Sequence, residues 1–304
     1  MHIATNLHLL GLSEIPCQRI NERSHQVMRI AVLGAVALDH YILVESFPED
    51  DSMVFALKEF HTIGGCGANI AINLALNGCE THLFCGIGKD DVATFIMHSL
   101  NKMGIQVHCL SEGKTASTII LLDKEGRRRI ISLGGNALFH SDGDTRYDEY
   151  DVVCVADSIP SEALRALQSS ARLKIYVPGG CGLYFGENEI RKVANFSSIT
   201  VLSANEASKI RKCNEISQWV IVTSGENPTK LYYQGTLVRE FAVHSVDNIV
   251  DTTGAGDAFV SGLVFSLSRT GDIFTAIEIA HNWAAKVIQK YGANLSYDFV
   301  EVTQ

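Results

Sequence analysis

The segment WVIVTSG (219–225) is the last of four short apolar runs that decide the class of fold, after DVVCVAD (151–157), LKIYVPG (173–179) and SITVLSAN (198–205). Each run has the length and apolar character of a buried strand, and helical or loop segments separate most of them. This alternation predicts a mainly parallel sheet with helices on both faces. Ligands of open α/β sheets bind beyond the carboxyl ends of the strands, so functional side chains are expected at that edge.

The segments on either side continue the pattern. The run MRIAVLG (28–34) begins as a buried strand, and the glycine turn of GGCGANIAINLALNG (64–78) leads into a helix. Two further helices are predicted at about 256–269 and about 272–290. The chain is therefore expected to form one large α/β unit.

Two β-rich segments do not belong to the alternation. They lie at about 41–63 and about 115–132, and the second forms a hairpin whose turn contains Gly126. We interpret them as a small β lid on the main unit. Neither a repeat nor a low-complexity linker interrupts the sequence, so residues 28–304 are predicted to form a single domain and residues 1–27 an N-terminal extension.

Composition excludes several classes of protein. The net charge of −9 argues against a nucleic-acid partner, because phosphate binding favours basic surfaces. No apolar stretch approaches the roughly 20 residues that span a bilayer, so no membrane partner is expected. The eight cysteines form no C-x-x-C pair and are typical of buried thiols in a reduced cytoplasmic protein.

The stretch DTTGAGDAFVSG (251–262) is the strongest candidate for chemistry. Gly254 and Gly256 allow the backbone to approach a ligand, and the apolar run that follows predicts a helix. The N-terminus of a helix offers free N–H groups and a positive dipole end to a phosphate. A carboxylate at this position, Asp257, is suited to accept a proton from a hydroxyl, but it is equally suited to cap the helix.

Two more polar positions lie near strand ends. Asn69 is in the first turn of the helix after Gly64 and Gly65, and Asp39 follows the first strand. An amide and a carboxylate together suit vicinal hydroxyl groups, although tight strand–helix packing and loop capping explain them as well. The glycines do not have the G-x-G-x-x-G spacing of a dinucleotide fingerprint, and the sequence has no Walker pattern.

Taken in order, these motifs resemble the ribokinase-like carbohydrate kinases, from about Arg29 to Ser296. The resemblance rests on five stretches of the chain: GAVALD (34–39), GGCGANIA (64–71), GGNALF (134–139), VTSGENP (222–228) and DTTGAGDAFVSG (251–262). It implies a ribokinase-like three-layer α/β/α sandwich with a mainly parallel central sheet and a β lid. It further implies transfer of the γ-phosphate of ATP to a hydroxymethyl group.

The same resemblance implies a role for each matching residue. Asp257 would be the base, and Gly254, Ala255 and Gly256 would shape the anion hole with it. Substrate hydroxyls would be bound by four residues: Asp39, Gly64, Gly65 and Asn69. The nucleotide would lie near six others: Asn205, Thr223, Ser224, Gly225, His281 and Asn282.

Two metal ions are also implied. A monovalent cation such as K⁺ would be bound, mostly by backbone oxygens, at six positions: Asp251, Thr253, Val287, Lys290, Gly292 and Ser296. The side chain of Lys290 is itself expected to be solvated. Mg²⁺ is expected with ATP, but Ser208 stands where the family has a glutamate, so Glu206 is the candidate to act through water.

The acceptor is expected to be a neutral sugar, because position 66 is Cys and no basic residue occurs in GGCGAN or GAVALDH. A nucleoside is the alternative acceptor. Phe55, Phe60 and Tyr184 are candidates to stack on a base, although packing in the core or the lid is the favoured interpretation of these three residues. A non-catalytic sugar- or nucleotide-binding regulator is an alternative of another class. The exposed edges of the lid favour a homodimer that pairs through it.

Overall fold

A computed structural model describes residues 28–140, 145–296 and 300–301; for the last pair only the backbone is described. The predicted extension at residues 1–27 lies outside the described residues. Fourteen strands occur in the described part: β1 Arg29–Gly34, β2 Ala37–Val44, β3 Ala56–Gly64, β4 Glu80–Ile87, β5 Gln106–Ser111, β6 Ser117–Asp123, β7 Arg128–Ser132, β8 Val152–Ala156, β9 Leu173–Val177, β10 Ile199–Ser203, β11 Trp219–Ser224, β12 Asn227–Tyr233, β13 Thr236–Phe241 and β14 Val300–Glu301.

Nine strands form the central sheet, in the order β13-β12-β11-β10-β9-β8-β1-β4-β5. The seven strands from β11 to β5 in this order are mutually parallel, and β12 and β13 add an antiparallel edge. The four runs that predicted the fold are β8, β9, β10 and β11, which lie side by side. Their carboxyl ends therefore meet at one edge of the sheet.

Helices cover both faces of this sheet. The described residues contain eight α-helices: α1 Cys66–Leu76, α2 Asp91–Lys102, α3 Pro160–Leu167, α4 Gly179–Phe185, α5 Glu187–Ala194, α6 Ala204–Ser208, α7 Ala255–Thr270 and α8 Ile273–Val287. Helices α1, α2, α7 and α8 share one apolar core with the sheet, and α3 and α5 share another. The predicted three-layer α/β/α sandwich is confirmed. None of the described helices is long and apolar enough to cross a membrane.

A second sheet of five strands has the order β14-β3-β2-β6-β7. It contains the two segments predicted as a lid, and its hairpin β6–β7 turns at Gly126, whose φ is +75°. Strand β2 begins at Ala37, four residues before the predicted start of the lid at 41. This earlier start places Asp39 within the sheet, where its side chain is buried.

Strand β5 of the central sheet, with the sequence QVHCLS, was not predicted from the sequence. Among the described strands it pairs with β4 alone and lies at the edge of the sheet. Its exposure alternates along the strand, so that it has no continuous apolar run. One face of this strand is exposed to solvent, so it lacks the continuous apolar run that predicted the central strands.

Candidate active site

The N-terminus of helix α7 lies at the centre of the candidate site. Gly254 precedes the helix with φ +75°, and Asp257 is the third helical residue. A Cβ atom built on Gly254 would lie 1.8 Å from the carbonyl oxygen of Ala293. Both the left-handed backbone and the close approach of this neighbouring loop therefore require glycine.

Replacement of Gly254 by alanine is expected to destabilise the fold by about 2–4 kcal/mol, from the left-handed backbone and the overlap with Ala293. Gly256→Ala is the matched control, because a Cβ on Gly256 meets nothing within 4 Å. This control should unfold at or above the wild-type temperature. Thermal unfolding of both variants tests the prediction, and equal melting temperatures for the two would contradict it.

The carboxylate of Asp257 is held by helix α1. The side-chain amide of Asn69 donates a 2.8 Å hydrogen bond to Asp257 Oδ2. Burial raises the pKa of Asp257 to about 6, while hydrogen bonds from Asn69 and Cys66 oppose the increase. A carboxylate with a pKa near neutrality combines ionisation with useful basicity, as a general base requires.

A relay of amides, which was not predicted from the sequence, fixes this pair. Asn294 donates to Asn69 Oδ1 at 3.0 Å and to the Ile63 carbonyl, and it accepts hydrogen bonds from Ser296. The side-chain oxygen of Asn69 therefore accepts a hydrogen bond from Asn294, and its side-chain nitrogen donates one to Asp257. The geometry makes Asn69 a residue that positions the base as much as one that binds a substrate, because its amide already has a carboxylate partner.

Asp39 and Gly64 lie together on β2 and β3. A Cβ on Gly64 would lie 1.9 Å from Asp39 Oδ2, so the missing side chain makes room for this carboxylate. Burial raises the pKa of Asp39 to about 7, and the negative charges of Asp257 and Asp251 add to the increase. The two predicted groups, Asp39 and Asp257, are therefore close enough to interact electrostatically. Gly65, with φ +91°, begins helix α1 beside them.

Asp251 organises the loop before α7. Its fully buried carboxylate accepts hydrogen bonds from Thr253 N at 2.9 Å, from Thr253 Oγ1 at 2.6 Å and from Gly292 N at 3.3 Å. Three of the six positions predicted to surround a monovalent cation are thereby in direct contact. The backbone of Val250 and Asp251 also donates to the Ile288 carbonyl, which joins this loop to the chain after α8.

The other positions predicted for the monovalent cation lie in different environments. Val287 is buried in the core at the end of α8. Lys290 was expected to be a solvated side chain, and this expectation was wrong: burial lowers its pKa to about 8, and its ammonium donates to the Ser296 carbonyl at 2.8 Å. The loop from 290 to 296 folds back to accept this hydrogen bond, so the side chain is only partly exposed to water.

The lid contributes a cation that was not assigned from the sequence. Arg128, on β7, donates to Thr253 Oγ1 at 2.8 Å. Arg128 pairs with the buried Leu122 in β6, so its side chain is on the inner face of the lid sheet. The motif GRRRI (126–130) was the available signal, but only the sheet register distinguishes Arg128 from its neighbours.

Positions predicted to bind the nucleotide lie at the ends of β10 and β11. Thr223 and Ser224 end β11, and Gly225 follows with φ +59°. Asn205 is exposed in the short helix α6, where its carbonyl accepts a 2.7 Å hydrogen bond from Ser208 Oγ. These four residues lie at or just beyond the carboxyl ends of the two strands.

Glu206 caps the N-terminus of helix α6 at this edge of the sheet. It forms a capping box with Ser203: its carboxylate accepts from Ser203 N at 2.6 Å, and its own N–H donates to Ser203 Oγ at 3.2 Å. Its negative charge also contributes to the raised pKa of Asp157, which burial raises first. Asp157 follows β8 with φ +51° and accepts from Cys181 N at 2.7 Å. It is a second acid at this edge that was not assigned from the sequence.

His281 and Asn282 have different environments in the structure: the first is buried and the second is exposed. His281 is buried, its Nε2 lies 2.9 Å from Thr229 Oγ1, and its ring packs 5.4 Å from the ring of Phe259. Burial lowers its pKa, which keeps the imidazole neutral. Its contacts make it a core residue, so the predicted contact with a nucleotide is left to Asn282, which is exposed on α8.

The three aromatic residues considered for base stacking also differ in their exposure. Phe60 is buried and stacks on Tyr41 at 4.9 Å, so it packs inside the lid, which is the alternative that the sequence favoured for it. Phe55 and Tyr184 are 80% and 84% exposed. Tyr184 contacts Phe185 edge to face in the last turn of α4, the helix that follows β9. Of these three rings, the two exposed ones are available to a ligand.

The chain is similar to proteins of known activity. The model of a family described as pfkB family carbohydrate kinase matches residues 28–179 and 182–299. The ribokinase of Staphylococcus aureus (strain COL) is 25% identical over 307 residues, covering 90% of this chain and 97% of the relative.

Two solved structures are similar in fold. One is a nucleoside kinase from Burkholderia thailandensis in complex with inosine, with a TM-score of 0.74, 20% identity and coverage of 88% of this chain and 92% of that one. The other is the ribokinase of Arabidopsis thaliana complexed with ribose and ATP, with a TM-score of 0.73, 20% identity and coverage of 88% and 95%.

Proposed function

The chain belongs to the pfkB family of carbohydrate kinases, and from this premise we propose that it transfers the γ-phosphate of ATP to a hydroxymethyl group of a non-phosphorylated sugar. The observation that carries the proposal is the hydrogen bond from Asn69 to Asp257 at the N-terminus of α7. It aims a carboxylate of raised pKa at the place where helix N–H groups favour a phosphate. Residues 28–304 would form one catalytic domain with its lid.

The proposed reaction is an in-line displacement. The hydroxyl oxygen of the sugar attacks the γ-phosphorus, its proton passes to Asp257, and the bond from phosphorus to the bridging oxygen breaks to release ADP. Negative charge on the transferred group is stabilised by the N–H groups of the first turn of α7, around Ala255 and Gly256. Asp39 holds the sugar hydroxyls from the lid side, where its carboxylate is coupled to Asp257.

Arg128 completes the anion site in this proposal. Its guanidinium contacts Thr253, one residue before Gly254, and therefore approaches the phosphate side of the reaction. A basic residue in this position stabilises the transferred group without requiring a phosphate on the sugar. The assignment of a neutral acceptor is thus compatible with a cation in the site.

The nucleotide is proposed to lie along the ends of β10 and β11. Thr223, Ser224 and Gly225 border this edge, together with Asn205 and Asn282. ATP use is supported by the family and by the similar fold of the Arabidopsis thaliana ribokinase, whose structure is complexed with ribose and ATP. The phosphates would then extend toward the N-terminus of α7.

Magnesium would accompany ATP, and two acids at the carboxyl edge fit its preference for oxygen ligands. Asp157 and Glu206 interact electrostatically, since the charge of Glu206 raises the pKa of Asp157. We propose that they hold the ion's water ligands in place of the acid missing at Ser208. The ion would neutralise charge on the β- and γ-phosphates.

The charge of Glu206 can be separated from its capping role. Glu206→Gln keeps a side chain that completes a capping box, so the fold should be retained. We expect the variant to need more Mg²⁺ for half-maximal turnover, because one acid is lost. Turnover measured against Mg²⁺ concentration tests this, with Glu206→Ala as a comparison that also loses about 0.5–2 kcal/mol of stability. An unchanged Mg²⁺ requirement in Glu206→Gln would assign the ion to other groups.

The acceptor is proposed to be a free sugar, with a nucleoside as the second candidate. The exposed ring of Tyr184 in α4 favours the nucleoside, because bases stack on aromatic faces. A coupled assay of ADP release across free sugars and nucleosides distinguishes the two. Turnover with neither class, together with ligand binding in a thermal-shift screen, would support the non-catalytic regulator instead.

A monovalent cation such as K⁺ is proposed beside the anion hole. The support is the contact of Asp251 with Thr253 and Gly292, which joins the two loops that supply the predicted oxygens. The ammonium of Lys290 already neutralises part of this region. Turnover in potassium, sodium and choline salts at equal ionic strength tests the requirement.

A homodimer through the lid is also proposed. The face of the lid opposite Asp39 carries Ile131, which is 50% exposed, and the neighbouring Leu133 is 56% exposed. Strand β7 is the open edge of this sheet in the described residues. An exposed apolar face beside an unpaired edge favours association of two copies, and sedimentation analysis measures it.

A further inference from the structure

Three metal-ligating side chains lie on the outer face of the lid, away from the candidate active site. His40 on β2 is directly opposite His61 on β3, and Glu59 lies two residues before His61. Side chains alternate along a strand, so these three share one face of the sheet. The opposite face carries the buried Asp39 and Thr62, which are themselves opposite one another.

The three side chains converge. His40 Nε2 lies 2.5 Å from Glu59 Oε1, and the two imidazole rings stack with centroids 4.4 Å apart. One ligand atom from each residue lies within 4.8 Å of the other two. The side chains of His40 and Glu59 are 27% and 43% exposed, so an ion has access from solvent.

We propose that His40, Glu59 and His61 bind a divalent transition-metal ion of the zinc class. Two imidazole nitrogens and one carboxylate oxygen form a ligand set that such ions prefer, whereas Mg²⁺ and Ca²⁺ require oxygen ligands. Three protein ligands leave a coordination position for water.

The ion would link β2 to β3 at the register of Asp39 and Thr62. Ligands from two strands make the site dependent on the folded lid, so binding must stabilise the folded state. This effect does not depend on the kinase reaction. The site is therefore testable whether or not the proposed activity is found.

The experiment uses the full chain, freed of metal with a chelator and then titrated with Co²⁺ and Zn²⁺. We expect one ion per chain at this site, a visible Co²⁺ spectrum typical of nitrogen and oxygen ligands, and a rise in melting temperature with Zn²⁺. The double variant His40→Gln/His61→Gln should weaken that binding by at least about 10–100-fold, the loss that even an outer-shell change produces. It should also lose the Zn²⁺-dependent rise.

Control variants separate the site from other ligands. His98→Gln removes an exposed histidine from α2 and should bind metal as the wild type does. Glu59→Gln should retain the fold and lose affinity, and equal far-UV spectra of the chelated proteins verify folding. The proposal is overturned if the double variant keeps the stoichiometry, the Co²⁺ spectrum and the thermal shift of the wild type.

Discussion

Asp257→Asn is expected to lower kcat by about 10²–10⁴-fold, the contribution of a positioned general base. Asparagine has the same shape and still accepts the hydrogen bond that Asn69 now donates to Asp257. It cannot accept the proton of the acceptor hydroxyl. Steady-state kinetics with the acceptor found in the substrate screen measure the loss, and thermal shifts should show that ATP still binds.

The pH profile distinguishes a base from a helix cap. The carboxylates of Asp257 and Asp39 have pKa values raised to about 6 and about 7, chiefly by burial. Each works as the ionised form, so turnover should rise with pH between about 6 and about 7 and then level off.

Stability should move in the opposite direction. A raised pKa in the folded state means that ionisation costs stability. The fold should therefore weaken as pH rises from the ordinary carboxyl pKa of 3.8 to the raised values of about 6 and about 7, and its stability should then level off. Asp257→Asn should remove the contribution of Asp257 from both trends. If the variant keeps wild-type turnover, Asp257 is only an acid in the first turn of α7 and the proposed mechanism is refuted.

Arg128→Met is expected to lower kcat by about 10²–10³-fold, the cost of losing one preorganised donor to a developing anion. Arg128 is exposed and contacts the site only through Thr253 Oγ1, so the fold should not change. The loss should fall on kcat more than on KM for the sugar, because the guanidinium serves the transferred phosphoryl group. Arg128→Lys should restore part of the rate.

Arg129→Met is the matched control for this variant. Arg129 is the next residue of β7, and its guanidinium lies 4.5 Å from the ring centroid of Phe47. Successive side chains of a strand point to opposite faces, so its removal should leave turnover near the wild-type value. Equal losses in the two variants would mean that Arg128 acts through general charge and not through its contact at the anion loop.

The four runs from 151 to 225 predicted the central sheet because buried parallel strands are apolar throughout. Edge strand β5 was missed for the converse reason, since its exposure alternates. The glycine and aspartate pattern from 251 to 257 likewise predicted a helix N-terminus with an acid in its first turn, and α7 begins there. These features depend on neighbouring residues in the chain, which a single sequence displays.

Contacts between residues that are far apart in the chain could not be predicted from such local patterns. Arg128 contacts Thr253 across 125 residues, and Asn294 contacts Asn69 across 225. His281 was assigned to the nucleotide from its place in the chain, but its packing on Thr229 and Phe259 makes it a core residue.

The sequence by itself determined the parallel sheet, the family to which the chain belongs and the glycine turn that presents Asp257. These follow from local periodicity and from backbone conformations that only glycine adopts readily. Only the tertiary structure decided which distant groups meet: Asn69 as the donor to Asp257, and Arg128 from the lid at Thr253. It also decided the pKa values, because burial and the distance between charges exist only once the chain has folded.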